Sequence, residues 1–110
     1  MKKINDYTED TMKYIESNIK YMEDNLNLGI LYFIYSTTRA IGFLRDSLTQ
    51  KYSLRFIDYD LYDEYMKYCD DKDNEVYHLV MALDDKLHNN YIRKEWNTCV
   101  KRLNSSWTKC

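Results

Sequence analysis

Proline is absent from the 110 residues, and glycine occurs only at Gly29 and Gly42. Tight strand reversals draw on Gly, Pro and Asn-Gly or Asp-Gly pairs, and neither pair occurs in the sequence. A meander of strands has few places to turn here, whereas helices joined by short polar links need none of these residues. Long apolar runs are missing as well. The most apolar stretch, Ile30 to Tyr35, is six residues long, far short of the roughly 20 that span a bilayer as a helix. Met1-Lys2-Lys3 is followed by the polar run Ile4 to Asp10 where a secretion leader would carry its apolar region. A cytoplasmic protein is expected, in the host cytoplasm if the source is viral.

Cysteine is sparse and odd in number: Cys69, Cys99 and Cys110. Without a leader, an odd count favours free thiols over a disulfide framework. The spacing contains no Cys-x-x-Cys pair that would begin a zinc site. The acidic run Asp71-Lys72-Asp73-Asn74-Glu75 starts like a calcium loop. It places Val76 where that loop needs Gly, and Ala82 where it needs a bidentate Glu. No metal and no cofactor are expected.

Motifs of catalysis are also missing: there is no Gly-rich phosphate loop, no Gly-x-Ser-x-Gly elbow and no His-Glu-x-x-His. The two histidines, His78 and His88, stand ten residues apart, about 280° around a helix. Asp84 and Asp85 precede His88 by four and three residues, so a carboxylate–imidazole pair is geometrically open there. Pairs of that kind are usually surface ion pairs. The expectation is a protein that is not an enzyme. A helical-bundle enzyme using Asp84, Asp85 and His88 is the alternative.

What is present is helical periodicity. Apolar residues make up 45% of the chain and charged ones 31%, a balance that supports one folded domain spanning residues 1–110. Met12, Ile15, Ile19, Met22 and Leu26 are spaced 3, 4, 3 and 4, predicting a first helix from about Thr8 to Asn27 with one buried face. Tyr7, Tyr14, Tyr21 and Leu28 form a second stripe at intervals of seven. One core need not cover both stripes, which suggests a homodimer. Asn27-Leu28-Gly29 is a plausible stop, because Asn and Gly tolerate the left-handed conformation that ends helices.

Ile34, Thr37, Ile41, Leu44 and Leu48 predict a second, central helix from about Ile30 to Lys51. Tyr52 to Asp58 reads as a connection, and Asp58 or Asp60 as the cap of a third helix ending near Cys69. Asp70-Asp71-Lys72-Asp73-Asn74 reads as a loop. Val76, Val80, Leu83 and Leu87 predict a fourth helix, and Ile92, Trp96, Cys99, Leu103 and Trp107 a fifth, with a break or bend at Asn89-Asn90. The predicted class is all-α, a compact antiparallel bundle of four to five helices.

Charge is unevenly spread around a net of −2, too small for general attraction to nucleic acid or anionic lipid. From Asp58 to Glu75 eight acidic residues face Lys67 and Lys72, a local charge of −6, interleaved with Tyr59, Tyr62, Tyr65 and Tyr68. On a helix these rings sweep half the surface, so one neighbour cannot bury all four. Tyr offers a large contact area at little entropic cost. The expected binding residues are Asp58, Tyr59, Asp60, Tyr62, Asp63, Tyr65, Asp70, Asp71 and Asp73, on a surface for a basic protein partner such as a nucleic-acid-binding protein. A plain solvated helix is the competing reading.

From Lys86 to Cys110 six basic residues face Glu95, a local charge of +5. Direct nucleic-acid binding through this stretch is a further alternative. Both tryptophans fall on its apolar repeat, where core is the ordinary place for them. These features suggest a small inhibitor or adaptor. Its composition, rich in Lys, Asn, Asp, Tyr and Ile, is common among phage, viral and immunity proteins.

Overall fold

The computed structural model describes residues 6–87, and every regular element among them is helical: α1 (Asp6–Asp24), a 3₁₀ turn (Leu28–Ile30), α2 (Leu31–Ser53) and α3 (Tyr59–Leu87). The all-α class holds, with three helices packed together. The predicted fifth helix, the break at Asn89-Asn90, His88, Cys99 and Cys110 lie outside the described residues.

α2 is the central element, in contact with both neighbours. Its predicted seam is buried throughout: Ile34, Thr37, Ile41, Leu44 and Leu48. α1 contributes Ile15, Ile19 and Met22, with Met12 and Leu26 partly buried beside them. Each enclosed Leu or Ile stabilises the fold by about 1.5–3 kcal/mol. Cross-helix contacts set the directions. Tyr14 hydrogen-bonds Ser36 and Tyr21 packs on Phe33, so α1 and α2 run antiparallel. Arg45 meets Asp70 while Tyr52 meets Tyr62, so α2 and α3 do likewise.

The connection after α1 is longer than its sequence suggested and works differently. α1 stops at Asp24, three residues before the expected Asn27, and no glycine takes a positive φ. Asn27 instead accepts a hydrogen bond on its Oδ1 from the Gly29 amide at 2.8 Å. A Cβ at Gly29 would meet that same oxygen at 2.8 Å, so the glycine is needed for close approach and not for left-handed backbone.

The predicted loop at Asp70 to Asn74 is incorrect. It lies inside α3, which runs unbroken for 29 residues and joins the predicted third and fourth helices into one. Tyr65, Cys69, Val76, Val80 and Leu83 are all buried, and the gap from Cys69 to Val76 is seven residues, two turns, which keeps one face. Between them Arg45 of α2 donates from Nη2 to Asp70 Oδ1 and from Nη1 to Asp73 Oδ2, each at 2.5 Å. Lys72 pairs with Glu75 at 2.9 Å one turn on. The charge run holds α3 to α2 where a sequence pattern alone reads it as solvated chain.

Candidate functional site

The residues expected to bind a partner do not gather on one surface. A spacing of three steps each ring back by 60°, and the four tyrosines grade accordingly. Tyr59 is exposed, Tyr62 and Tyr68 are half-buried, and Tyr65 is 4% exposed. Tyr65 therefore serves the core, where burial raises its hydroxyl pKa, aided by Glu64 and Glu9. Tyr68 donates to the Met12 carbonyl at 3.3 Å, and burial pushes its hydroxyl up strongly.

Several of the acids are also committed. Asp70 and Asp73 hold Arg45, and Asp63 pairs with Lys67 at 3.0 Å. Burial raises the Asp73 carboxyl, against the pull of Arg45 and with the repulsion of Asp70 added. Burial alone would lower Arg45, but its two carboxylates outweigh that and hold it above its usual value. One guanidinium thus serves two acids, which leaves the cluster with a net charge of −1. Asp60, Glu64 and Asp71 stand exposed with Lys67 along the outer ridge of α3, at spacings of 4, 3 and 4.

The remaining members of the set converge at the corner between α2 and α3. The amide of Phe56 donates to Lys51 O at 2.8 Å and that of Arg55 to Tyr52 O at 3.0 Å. These two bonds define a Schellman close to α2. Its left-handed position, usually glycine, is Arg55 at φ 63°. Asp58 then caps α3, accepting on Oδ1 from the Leu61 amide at 2.9 Å.

In this type of helix end the residue after the left-handed one normally packs back on the helix. Here that residue, Phe56, is 73% exposed, and Leu54 is 66% exposed. Tyr52 supports the corner from below, stacked on Tyr62 with ring centres 4.6 Å apart and edge-to-face with Tyr59 at 6.1 Å. Sequence reasoning assigned Asp58, Tyr59, Asp60, Tyr62 and Asp63 to this region but missed Leu54 and Phe56. The available signal was a pair of large apolar residues in a connection with no strand partner.

A second surface lies on the open side of α1 and α2. Tyr7 and Tyr14 of α1 face Phe43, Ala40 and Arg39 of α2 across an open groove of about 480 Å³, with Asp10 at its edge. Tyr14 and Ser36 share a hydrogen bond across its floor. That bond, with the Asn18 side chain nearby, holds the Tyr14 hydroxyl below its ordinary pKa. The expected stripe of Tyr7, Tyr14, Tyr21 and Leu28 is exposed.

The residues considered for catalysis separate. Asp84 is buried and Asp85 exposed, the 100° step between them carrying Asp85 off the buried face. Cys69 is fully buried and burial pushes its thiol up to about 12, away from the thiolate form that reacts. Among the described residues no group of three or more His, Cys, Asp or Glu is arranged to hold a metal ion, and no helix is long and apolar enough to cross a membrane. No family model matches the chain, and no curated protein or solved structure is detectably similar to it.

Proposed function

We propose that this protein acts by binding a basic protein partner, as an inhibitor or adaptor, through the corner between α2 and α3. The observation that supports the reading is the ordered exposure of Leu54 and Phe56 on a turn held in left-handed backbone at Arg55. Apolar side chains on a mobile loop would carry little information. Here two backbone bonds and the Asp58 cap fix their position, so little ordering entropy remains to be lost on docking. Asp58, Tyr59, Asp60 and Glu64 flank them, supplying negative charge that steers a basic target and aromatic area that holds it.

The committed residues narrow the surface expected from sequence. Tyr65 belongs to the core, and Asp70 and Asp73 belong to the Arg45 cluster, so the partner meets the first two turns of α3 and not its middle. Pull-downs from host lysate with the parent, Phe56→Ser, Tyr59→Ala and the Asp60→Asn, Glu64→Gln pair test this. One protein retained by the parent, lost with Phe56→Ser and released by salt more easily with the acid pair is the expected outcome. Retention by all variants at equal strength overturns the reading.

A further inference from the structure

Each wall of the groove between α1 and α2 is two helical turns long. On α1, Asp10 and Thr11 stand between Tyr7 and Tyr14. On α2, Arg39 and Ala40 stand between Ser36 and Phe43. Spacings of 3, 1 and 3 keep each set of four on one face of its helix. The helices are antiparallel and Tyr14 hydrogen-bonds Ser36, so the register sets Tyr7 opposite Phe43, and Asp10 and Thr11 opposite Ala40 and Arg39. Rings thus wall the hollow, short side chains floor its middle, and an acid and a base face each other across it. We propose that this groove binds a small aromatic zwitterion of the α-amino-acid class, its ring over Ala40, its carboxylate at Arg39 and its ammonium at Asp10.

Size is the first support. The hollow holds about 480 Å³, within the roughly 300–1,000 Å³ of small-molecule sites. Two turns of helix, about 11 Å, give a trough the length of one ring with a short polar tail.

Unpaired charge is the second. Asp10 and Arg39 are both exposed, and among the described residues neither forms an ion pair. A ligand of one charge would meet one of them with like sign. An α-amino acid carries its carboxylate and its ammonium on a single carbon, so it complements both.

The third is a surplus of donors at the Ser36 end. Tyr14 and Ser36 bring two hydroxyl hydrogens to a shared bond that uses one. Asn18 is 7% exposed, its side chain lies near the Tyr14 hydroxyl, and its Nδ2 has no hydrogen-bond partner among the described residues. Spare donors one turn from Arg39 suit a carboxylate there, which leaves the ammonium to Asp10.

L-phenylalanine is the probe. Beside it stand 3-phenylpropionate, which lacks the ammonium, and 2-phenylethylamine, which lacks the carboxylate. Amide signals of Thr11, Ser36 and Ala40 in two-dimensional NMR of the full chain report occupancy. The variants are Arg39→Gln and Asp10→Asn at exposed positions, and Ala40→Leu, which fills the floor. Far-UV circular dichroism checks that all three keep their helices.

Saturable shifts with a dissociation constant on the order of 1 mM are expected for L-phenylalanine in so open a groove. The acid and the amine should each bind about three- to ten-fold more weakly. Arg39→Gln should weaken L-phenylalanine and the acid by a similar factor while sparing the amine, and Asp10→Asn should weaken L-phenylalanine and the amine while sparing the acid. Ala40→Leu should abolish binding of all three. No saturable shift with any probe overturns the proposal, and so does equal binding of all three, which would leave an apolar surface only. Shifts insensitive to Arg39→Gln and Asp10→Asn overturn it too. So do signals of these residues that move on dilution without ligand, which would give the groove to a second copy. None of these readouts involves the α2–α3 corner, so the partner-binding reading and this site fail independently.

Discussion

The α2–α3 corner and the α1–α2 groove both expose large aromatic side chains, yet they differ in shape and in charge. The corner projects: Leu54, Phe56 and Tyr59 stand on a turn between helices, flanked by Asp58 and Asp60. The groove recedes: Tyr7, Tyr14 and Phe43 wall a hollow floored by Ser36 and Ala40, with one acid and one base, Asp10 and Arg39, at its edge. Exposed aromatic area of this kind is common at contact surfaces, and shape and charge are what separate the two. The corner is a projecting turn flanked by acids, whereas the groove is a hollow in which one acid and one base balance. The difference also carries to backbone cost, since only the corner holds a non-glycine residue at positive φ.

The largest expected effect comes from the core that supports the groove. Leu44 is 2% exposed and lies beneath the Phe43 end of the hollow. Leu44→Ala should cost about 2–5 kcal/mol in denaturant unfolding, from lost burial and the space left behind. Its effect on partner binding at the corner should be no more than the lost folded fraction accounts for. A specific loss of binding in the folded protein would couple the two surfaces and end the comparison.

Next in size is the corner's own fastening. Asp58→Ala removes the acceptor of the Leu61 amide and should lower stability by about 1 kcal/mol, in the usual range for a lost helix cap. It frees the turn without touching Leu54 or Phe56, so partner dissociation should quicken while association changes less. Arg55→Gly acts in the other direction. At φ 63° a side chain crowds its own backbone, and relief of that strain, less the added freedom of the unfolded chain, should stabilise by about 0.5 kcal/mol. Thermal unfolding measures it, and a loss of stability would mean that the Arg55 side chain holds the corner.

The helix faces were legible in the sequence because their cause is local. Seams such as Ile34, Ile41, Leu44 and Leu48 follow from a 3.6-residue period and need no knowledge of neighbours. Asp58 as a cap was legible for the same reason. The acidic stretch from Asp70 to Asn74 was misread because its stabilising partner, Arg45, is 25 residues away from Asp70 and 28 from Asp73. Charge runs carry no periodic signal that distinguishes a loop from a clasped helix. The clue that survived in sequence was phase, since the seven residues from Cys69 to Val76 keep one face only if no loop intervenes. The corner was half legible. Its acids and tyrosines stood out by composition, but Leu54 and Phe56 became informative only once Arg55 was seen to turn the chain and leave them uncovered.

The smallest expected effect concerns the clasp that lies away from both surfaces. Burial raises the Asp73 carboxyl above its ordinary value, Arg45 lowers it, and Asp70 raises it again, with the net shift upward. The native state therefore binds the Asp73 proton more tightly than the unfolded chain does. Between the unfolded pKa and the higher folded one, the native state carries more of that proton, so this group's contribution to stability falls as pH rises. It is fully present below the unfolded carboxylate range and lost as pH climbs through the folded value. Asp70 also contacts Arg45, so protonation of Asp73 relieves repulsion between the two acids without removing both partners of the guanidinium. Comparing unfolding of the parent with Asp73→Asn across the acidic range isolates the group. The parent should gain stability relative to the variant as pH is lowered, by less than 1 kcal/mol for a partly exposed cluster. A relative loss on acidification would show that attraction to Arg45 outweighs burial, and the charge run would then act as a stabilising ion pair in its own right.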